Sequence, residues 1–157
     1  MRELFIKGVA TGLFSGYMQP FPGTWGTIPA WLIAFFLIGD NPAILVVVTI
    51  VTFFISVWFA GQAENLLGHD ARKIVIDEWA GMFVALLFVP FSLGTYVLAF
   101  FVFRLYDVVK PAPTAQLEQL PRGWGVTMDD IAAGIYANIT VRLLILASEH
   151  FIDYSFV

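Results

Sequence analysis

Residues 41–63 read NPAILVVVTIVTFFISVWFAGQA, a run without one charged side chain. A helix rises 1.5 Å per residue, so about 20 such residues cross the hydrocarbon of a bilayer, and this run reads as a membrane span. The same logic applies on either side of it. No charge falls between Lys7 and Asp40, which predicts an earlier helix near Ile28 to Ile38 that turns at Gly39 to Pro42. A third uncharged run from Trp79 to Phe103 has Pro90-Phe-Ser-Leu-Gly at its centre. Proline and glycine there favour a turn, so the run reads as a hairpin of two shorter helices. A fourth run follows Asp130 and continues to about Ala147, interrupted by Arg142, which either snorkels to an interface or lines a polar interior.

The chain-wide numbers agree with this reading. At 157 residues the sequence has room for one domain, residues 1–157. It is 59% hydrophobic and only 13% charged, against roughly 25% charged in average globular chains. The expected fold is therefore all-α: a polytopic helical membrane protein with about four to five short transmembrane helices. A net charge of −4 leaves no basic footprint for nucleic acid. The absence of cysteine removes disulfides, thiolate zinc sites, Fe–S clusters and cysteine nucleophiles.

The N-terminal MRELFIKGVATGLFSGYM combines a base, an apolar stretch and small residues but lacks an A-x-A site, so it is read as retained. Asn138-Ile139-Thr140 matches a glycosylation pattern inside an apolar span, and is read as chance. Arg2, Lys7, Arg72, Lys73, Arg104, Lys110 and Arg122 flank alternate ends of the apolar runs. By the positive-inside rule, five crossings put segments 1–27, 62–78 and 104–130 on the cytoplasmic side, with Trp25, Trp79 and Trp124 at that interface.

Six of the twelve acids, Asp70, Asp77, Glu78, Asp107, Asp129 and Asp130, belong to those segments or their helix ends. Asp77, Glu78, Asp129 and Asp130 each precede an apolar run, where an acid can simply cap a helix and complement its dipole. Capping does not explain Asp107, near the end of a helix, where the dipole disfavours negative charge. Arg104 and Lys110 lie three residues either side of it, which makes an ion-pair ladder or a functional group equally natural. In the functional reading the carboxylates hold a hard cation and the bases receive a phosphate. Pro22-Gly-Thr-Trp-Gly-Thr27 offers glycines for close approach and hydroxyls for a phosphate, or else Thr27 is an N-cap with Pro29 in the first turn. His69 beside Asp70 is a ligand, a base or an exposed loop residue.

Four stretches together resemble the phosphatidylglycerophosphatase A family: PGTWGT (22–27), GHDARKIVIDEWAGM (68–82), FRLYDVVKPAP (103–113) and GVTMDDIAAG (125–134). The resemblance implies a helical bacterial membrane protein that removes the terminal phosphate of phosphatidylglycerophosphate with magnesium. It also implies a multi-pass protein of the inner (cytoplasmic) membrane. The residues carry no signature of other phosphatases: no cysteine loop, no D-x-D-x-T, no serine-rich two-histidine set. Direct attack by water activated at a metal is what remains, with an unlisted Asp nucleophile as its rival. On this reading Asp77, Glu78, Asp107, Asp129 and Asp130 form the catalytic shell, Asp77, Glu78, Asp107 and Asp130 being the ligands of Mg2+. Arg104 and Lys110 take the phosphate, and Thr24 and Thr27 the headgroup. A small transporter or structural membrane protein, with a buried Arg142 marking its pathway, is the alternative.

Overall fold

The computed structural model describes residues 1–68 and 71–154, which are helical and contain no strand. The elements are α1 (Arg2–Ala10), a 3-10 turn (Ser15–Tyr17), α2 (Pro22–Leu32) continued by a π-helical segment (Ile33–Ile38), and α3 (Pro42–Leu67). There follow α4 (Ile76–Leu86), α5 (Leu93–Val109), α6 (Thr114–Leu117) and α7 (Gly123–Tyr154). α3 and residues 123–150 of α7 are long and apolar enough to cross a membrane.

The short α4 is the hub. It packs against α2, α3, α5 and α7, and nine of its residues are buried, including Asp77, Glu78, Met82, Phe83 and Leu86. A helix apolar nearly all round belongs in an interior, and α4 is walled in by the others. Trp79 donates its indole N–H to the Gly26 carbonyl at 2.8 Å, tying α4 to α2. At the other end the Asn138 amide donates to the carbonyls of Val84, Ala85 and Leu87, so α7 caps the orphan acceptors of α4.

The α4–α7 crossing has almost no side chain in it. A Cβ placed on Gly134 would lie 2.4 Å from the Gly81 carbonyl oxygen, and one placed on Gly81 would lie 2.6 Å from that of Asp130. Only glycine allows this approach. Gly81 follows Asp77 and Glu78 by one turn, and Gly134 follows Asp130 by one turn, so the crossing brings the acids of the two helices together. α3 is built inside out for water: Thr49, Thr52, Ser56, Ala60 and Ala63 face inward, while Val47, Ile50, Phe54 and Trp58 are exposed. Small and hydroxylic residues between helices with bulky apolar ones outside is the packing that lipid selects.

Several expectations need correction. The first apolar helix begins at Pro22, because Phe21 adopts a left-handed conformation (φ 64°) and Pro22 takes the N1 position. PGTWGT is therefore the helix start itself, Thr27 is no N-cap, and Pro29 lies inside the helix. α7 starts at Gly123, so Asp129 and Asp130 fall in its second turn and cap nothing. Arg142 is exposed and donates to the Phe88 carbonyl at 2.9 Å, which removes the buried charge that the transporter reading needed. Trp25 and Trp124 are exposed, but Trp79 turns inward. The hairpin is present, with Ser92 accepting from Thr95 N–H as the α5 N-cap. His69 and Asp70 lie outside the described residues.

Overpacking of the crossing should be costly and local. Gly134→Ala is expected to destabilise the detergent-solubilised protein by about 1–3 kcal/mol in thermal unfolding. Gly94→Ala, at a glycine with open space around it, should be neutral or stabilising by up to about 1 kcal/mol.

Candidate active site

The N-terminal turns of α2, α4 and α7 and the C-terminal turn of α5 meet around a pocket of about 540 Å³. Its wall includes Thr24, Asp77, Glu78, Arg104, Asp107, Lys110, Asp129 and Asp130, so eight of the nine residues singled out in the sequence line one cavity. Four stretches spread over residues 21–130 reach it because the helices alternate direction, each apolar run carrying the chain away and the next bringing it back.

Asp77, Glu78 and Asp130 each offer an oxygen within 4.8 Å of the others, and all three are buried. Asp77 Oδ1 and Glu78 Oε2 are buried without a hydrogen-bond partner. Buried carboxylates are expected to be paired or to coordinate metal, and these two oxygens are available to a cation beside the Asp77–Glu78 contact. A donor set made of carboxylate oxygens alone suits a hard cation such as Mg2+. Asp107 is placed differently: its Oδ2 pairs with Arg104 Nη1 on the same helix.

Asp77 and Glu78 stand in the first turn of α4, ahead of its apolar stretch. Burial first, and then the charge of Asp107, pushes the Glu78 carboxyl up to about 8, with Arg104 only partly opposing it. Burial and the neighbouring Glu78 likewise raise the Asp77 carboxyl well above its usual range. Without a cation, the charged forms of these groups are strongly disfavoured.

The bases are held. Arg104 Nη1 also lies 3.7 Å from Glu78 Oε1 and 3.4 Å from the Thr27 hydroxyl, which itself donates to the Gly23 carbonyl. A Cβ on Gly23 would meet Glu78 Oε1 at 2.5 Å and Arg104 Nη2 at 2.7 Å, so any larger residue in the α2 turn would push those two side-chain ends aside. Thr27 is fully buried behind Arg104, so it positions the guanidinium and does not reach the cavity. Lys110 leaves the expected ladder with Asp107: at the α5 C-cap its ammonium bonds Asp129 at 2.7 Å and Glu118 at 3.1 Å. Burial lowers its pKa, but those two carboxylates outweigh burial and hold it above the usual lysine value.

A family model described as phosphatidylglycerophosphatase A matches residues 8–145. The chain belongs to the phosphatidylglycerophosphatase A family. It is a phosphatase, a phosphoric monoester hydrolase. It is 34% identical over 140 residues to the Haemophilus influenzae phosphatidylglycerophosphatase A, covering 87% of this chain and 86% of that one. Its identity to the Escherichia coli phosphatidylglycerophosphatase A is 32% over 148 residues, 90% and 83% of the two chains. A Bacteroides thetaiotaomicron protein bearing the name "Putative phosphatidylinositol-3-phosphatase" is 33% identical over 143 residues, 86% of this chain and 90% of that one. No solved structure matches the chain.

Sequence reasoning passed over two contributors to this pocket. Arg72 lines it, and its position in the 68–82 stretch was the available signal. The Gly81–Gly134 pair brings its acids together by lacking side chains, and a missing side chain leaves no chemical pattern to read. Gly23 meets the expectation that PGTWGT offers a glycine for close approach.

The raised carboxyls fix a sign. A carboxyl whose folded pKa exceeds its unfolded value favours the folded state when protonated, so its contribution is full at low pH and lost as pH rises through the folded value. In chelator, thermal stability should therefore fall between pH 4.5 and about 8, and Glu78→Gln should flatten that fall. A wild-type profile in EDTA that rises over this range would refute the assignment.

Proposed function

We propose that this phosphatase is a magnesium-dependent phosphatidylglycerophosphate phosphatase of glycerophospholipid synthesis, forming phosphatidylglycerol and inorganic phosphate. The observation that carries it is the juxtaposition of the buried Asp77, Glu78 and Asp130 carboxylates, two with orphaned oxygens, with Arg104 and Lys110 in one pocket. Family membership supports the substrate, since two relatives carry that name. Asp77, Glu78 and Asp130 would hold the ion, with Asp107 beside them on Arg104. When bound, Mg2+ supplies positive charge against the phosphoryl oxygens.

The protein's own groups do the rest. Arg104, steadied by Asp107 and Thr27, presents its guanidinium to the phosphate, whose planar fork matches two phosphoryl oxygens. Lys110 contributes a second point charge to the same pocket. Asp129, bonded to Lys110 and near the ligands, is placed to accept a proton from an attacking water. Thr24, half-buried at the rim, is available to the glycerol headgroup.

The same reading includes the membrane. Four to five crossings place the turns at 39–42 and 87–92 at one face and the pocket at the other, which the basic residues assign to the cytoplasm. α2 with its π-helical continuation, α3, α5 and α7 supply length for crossing. α4, about 16 Å long from its eleven residues, is a half-length helix shielded by them. One integral domain in the inner membrane results.

Purified protein in detergent should release phosphate from phosphatidylglycerophosphate with Mg2+ and none in excess EDTA. Asp77→Asn, Asp107→Asn and Asp130→Asn should each lower the rate at least about 100-fold with folding preserved. Turnover in EDTA would sink the metal, and preference for phosphatidylinositol 3-phosphate, named for one relative, would sink the substrate.

A further inference from the structure

The pocket has one apolar side. Phe21 and Val108 both line it, and both are largely exposed, at 73% and 74%. They bracket the place where α2 meets α5. On α2, Gly23 and Thr27 face Arg104, and Trp31, a further turn along the same stripe, donates its indole N–H to the Tyr96 carbonyl of α5 at 2.8 Å. On α5, Val97, Phe101, Leu105 and Val108 recur at helical spacing on one exposed face, with Arg104 among them. Within this seam lies a second depression of about 180 Å³, lined by Trp31, Val97, Phe100 and Phe101, with no polar residue type other than the tied-down indole. Val97 and Val108 lie eleven rises apart, about 16 Å of helix, so an apolar path runs from the polar pocket along the flank of the protein. Away from the seam, Lys110 ties α5 to Glu118 and to Asp129 of α7.

We propose that the α2–α5 seam is the acyl-chain path of the substrate, and that the lipid enters sideways between Phe21 and Val108 with its phosphate leading toward Arg104 and Lys110. This rests on the lipid-phosphatase reading above and adds to it where the hydrophobic part of the substrate lies. An amphiphile with an anionic head and an apolar tail is the one ligand that matches both the cationic pocket wall and the apolar seam joined to it. It also explains why large apolar side chains remain exposed at the very level of the charged site.

Paired substrates test it: dioleoyl phosphatidylglycerophosphate in mixed micelles and its deacylated, water-soluble counterpart. Val97→Trp, which fills the depression, should raise KM for the diacyl substrate by about tenfold or more and leave kcat/KM for the deacylated one unchanged. Leu105→Trp, on the same exposed face and outside the polar pocket, should act alike, and Val47→Trp on the exposed side of α3 should change neither. Wild-type kinetics on the diacyl substrate in both seam variants, or equal losses on both substrates, would overturn the proposal. Wild-type protein that hydrolyses neither substrate would instead refute the proposed function. The seam is then decided by phosphatidate carrying a diazirine in one acyl chain. Adducts at Trp31, Val97, Phe100 or Phe101 that excess unlabelled phosphatidate displaces, and phosphatidylcholine does not, support the path. Adducts spread evenly to Phe54 and Trp58, or displaced by neither lipid, mean bulk lipid only and reject it.

Discussion

A glycine-on-glycine helix crossing forces mutually repelling carboxylates into one buried space, and the surrounding architecture follows from accommodating them. Gly81 and Gly134 let α4 and α7 approach until a carbonyl of one fills the space a methyl group would need on the other. One turn away on both helices the side chains are acids. Among the described residues, five acids and three bases line the pocket, and the low-dielectric surroundings amplify every unbalanced charge. The polypeptide answers with Arg104 and Lys110, each bound to two acids, and leaves Asp77 Oδ1 and Glu78 Oε2 unanswered. Such an arrangement is unfavourable as bare structure, because buried charge without a partner is strongly destabilising. Under the function proposed above, it is a place prepared for a divalent cation and a phosphate.

The membrane environment and the site depend on the same economy of side chains. Between helices in lipid there is little hydrophobic drive, so close backbone approach through small residues does the work that large apolar side chains do in a water-soluble core. That is why α3 turns Thr49, Thr52, Ser56, Ala60 and Ala63 inward, and why Ser56 meets the Thr127 hydroxyl of α7 at 2.6 Å. It is also why α4 can be short. Surrounded on every side, it has no lipid-facing surface to match to bilayer thickness, and Asn138 rather than water satisfies its last carbonyls.

Much of this was legible in the sequence because charge is so scarce in it. The uncharged runs locate α3, the α4–α5 hairpin and α7, and the Pro90 turn and Ser92 cap behave as their chemistry dictates. Asp77, Glu78, Arg104, Asp107, Lys110, Asp129 and Asp130 converge on one cavity, since their positions at alternate ends of apolar runs bring them to the same end of the helices. What could not be read was local geometry. Phe21 in a left-handed conformation moves the α2 start to Pro22, and no propensity rule anticipates a bulky residue there. Helix spacing put Lys110 beside Asp107, but the chain leaves helical geometry at Lys110 (φ 46°), which swings it to Asp129 and Glu118. Asp129 and Asp130 looked like caps because the apolar run begins after them, whereas α7 extends back through glycines to residue 123.

The central claim, that Asp77, Glu78 and Asp130 form a cation site shaped by the α4–α7 crossing, is tested most directly by equilibrium binding of Mn2+, monitored by electron paramagnetic resonance on the detergent-purified protein. Wild-type protein should take up Mn2+ saturably, with excess Mg2+ displacing it, and Asp130→Asn should lose that binding while its helical circular dichroism is unchanged. Saturable binding that survives in Asp130→Asn, or no binding by the wild type at millimolar Mn2+, would contradict the claim.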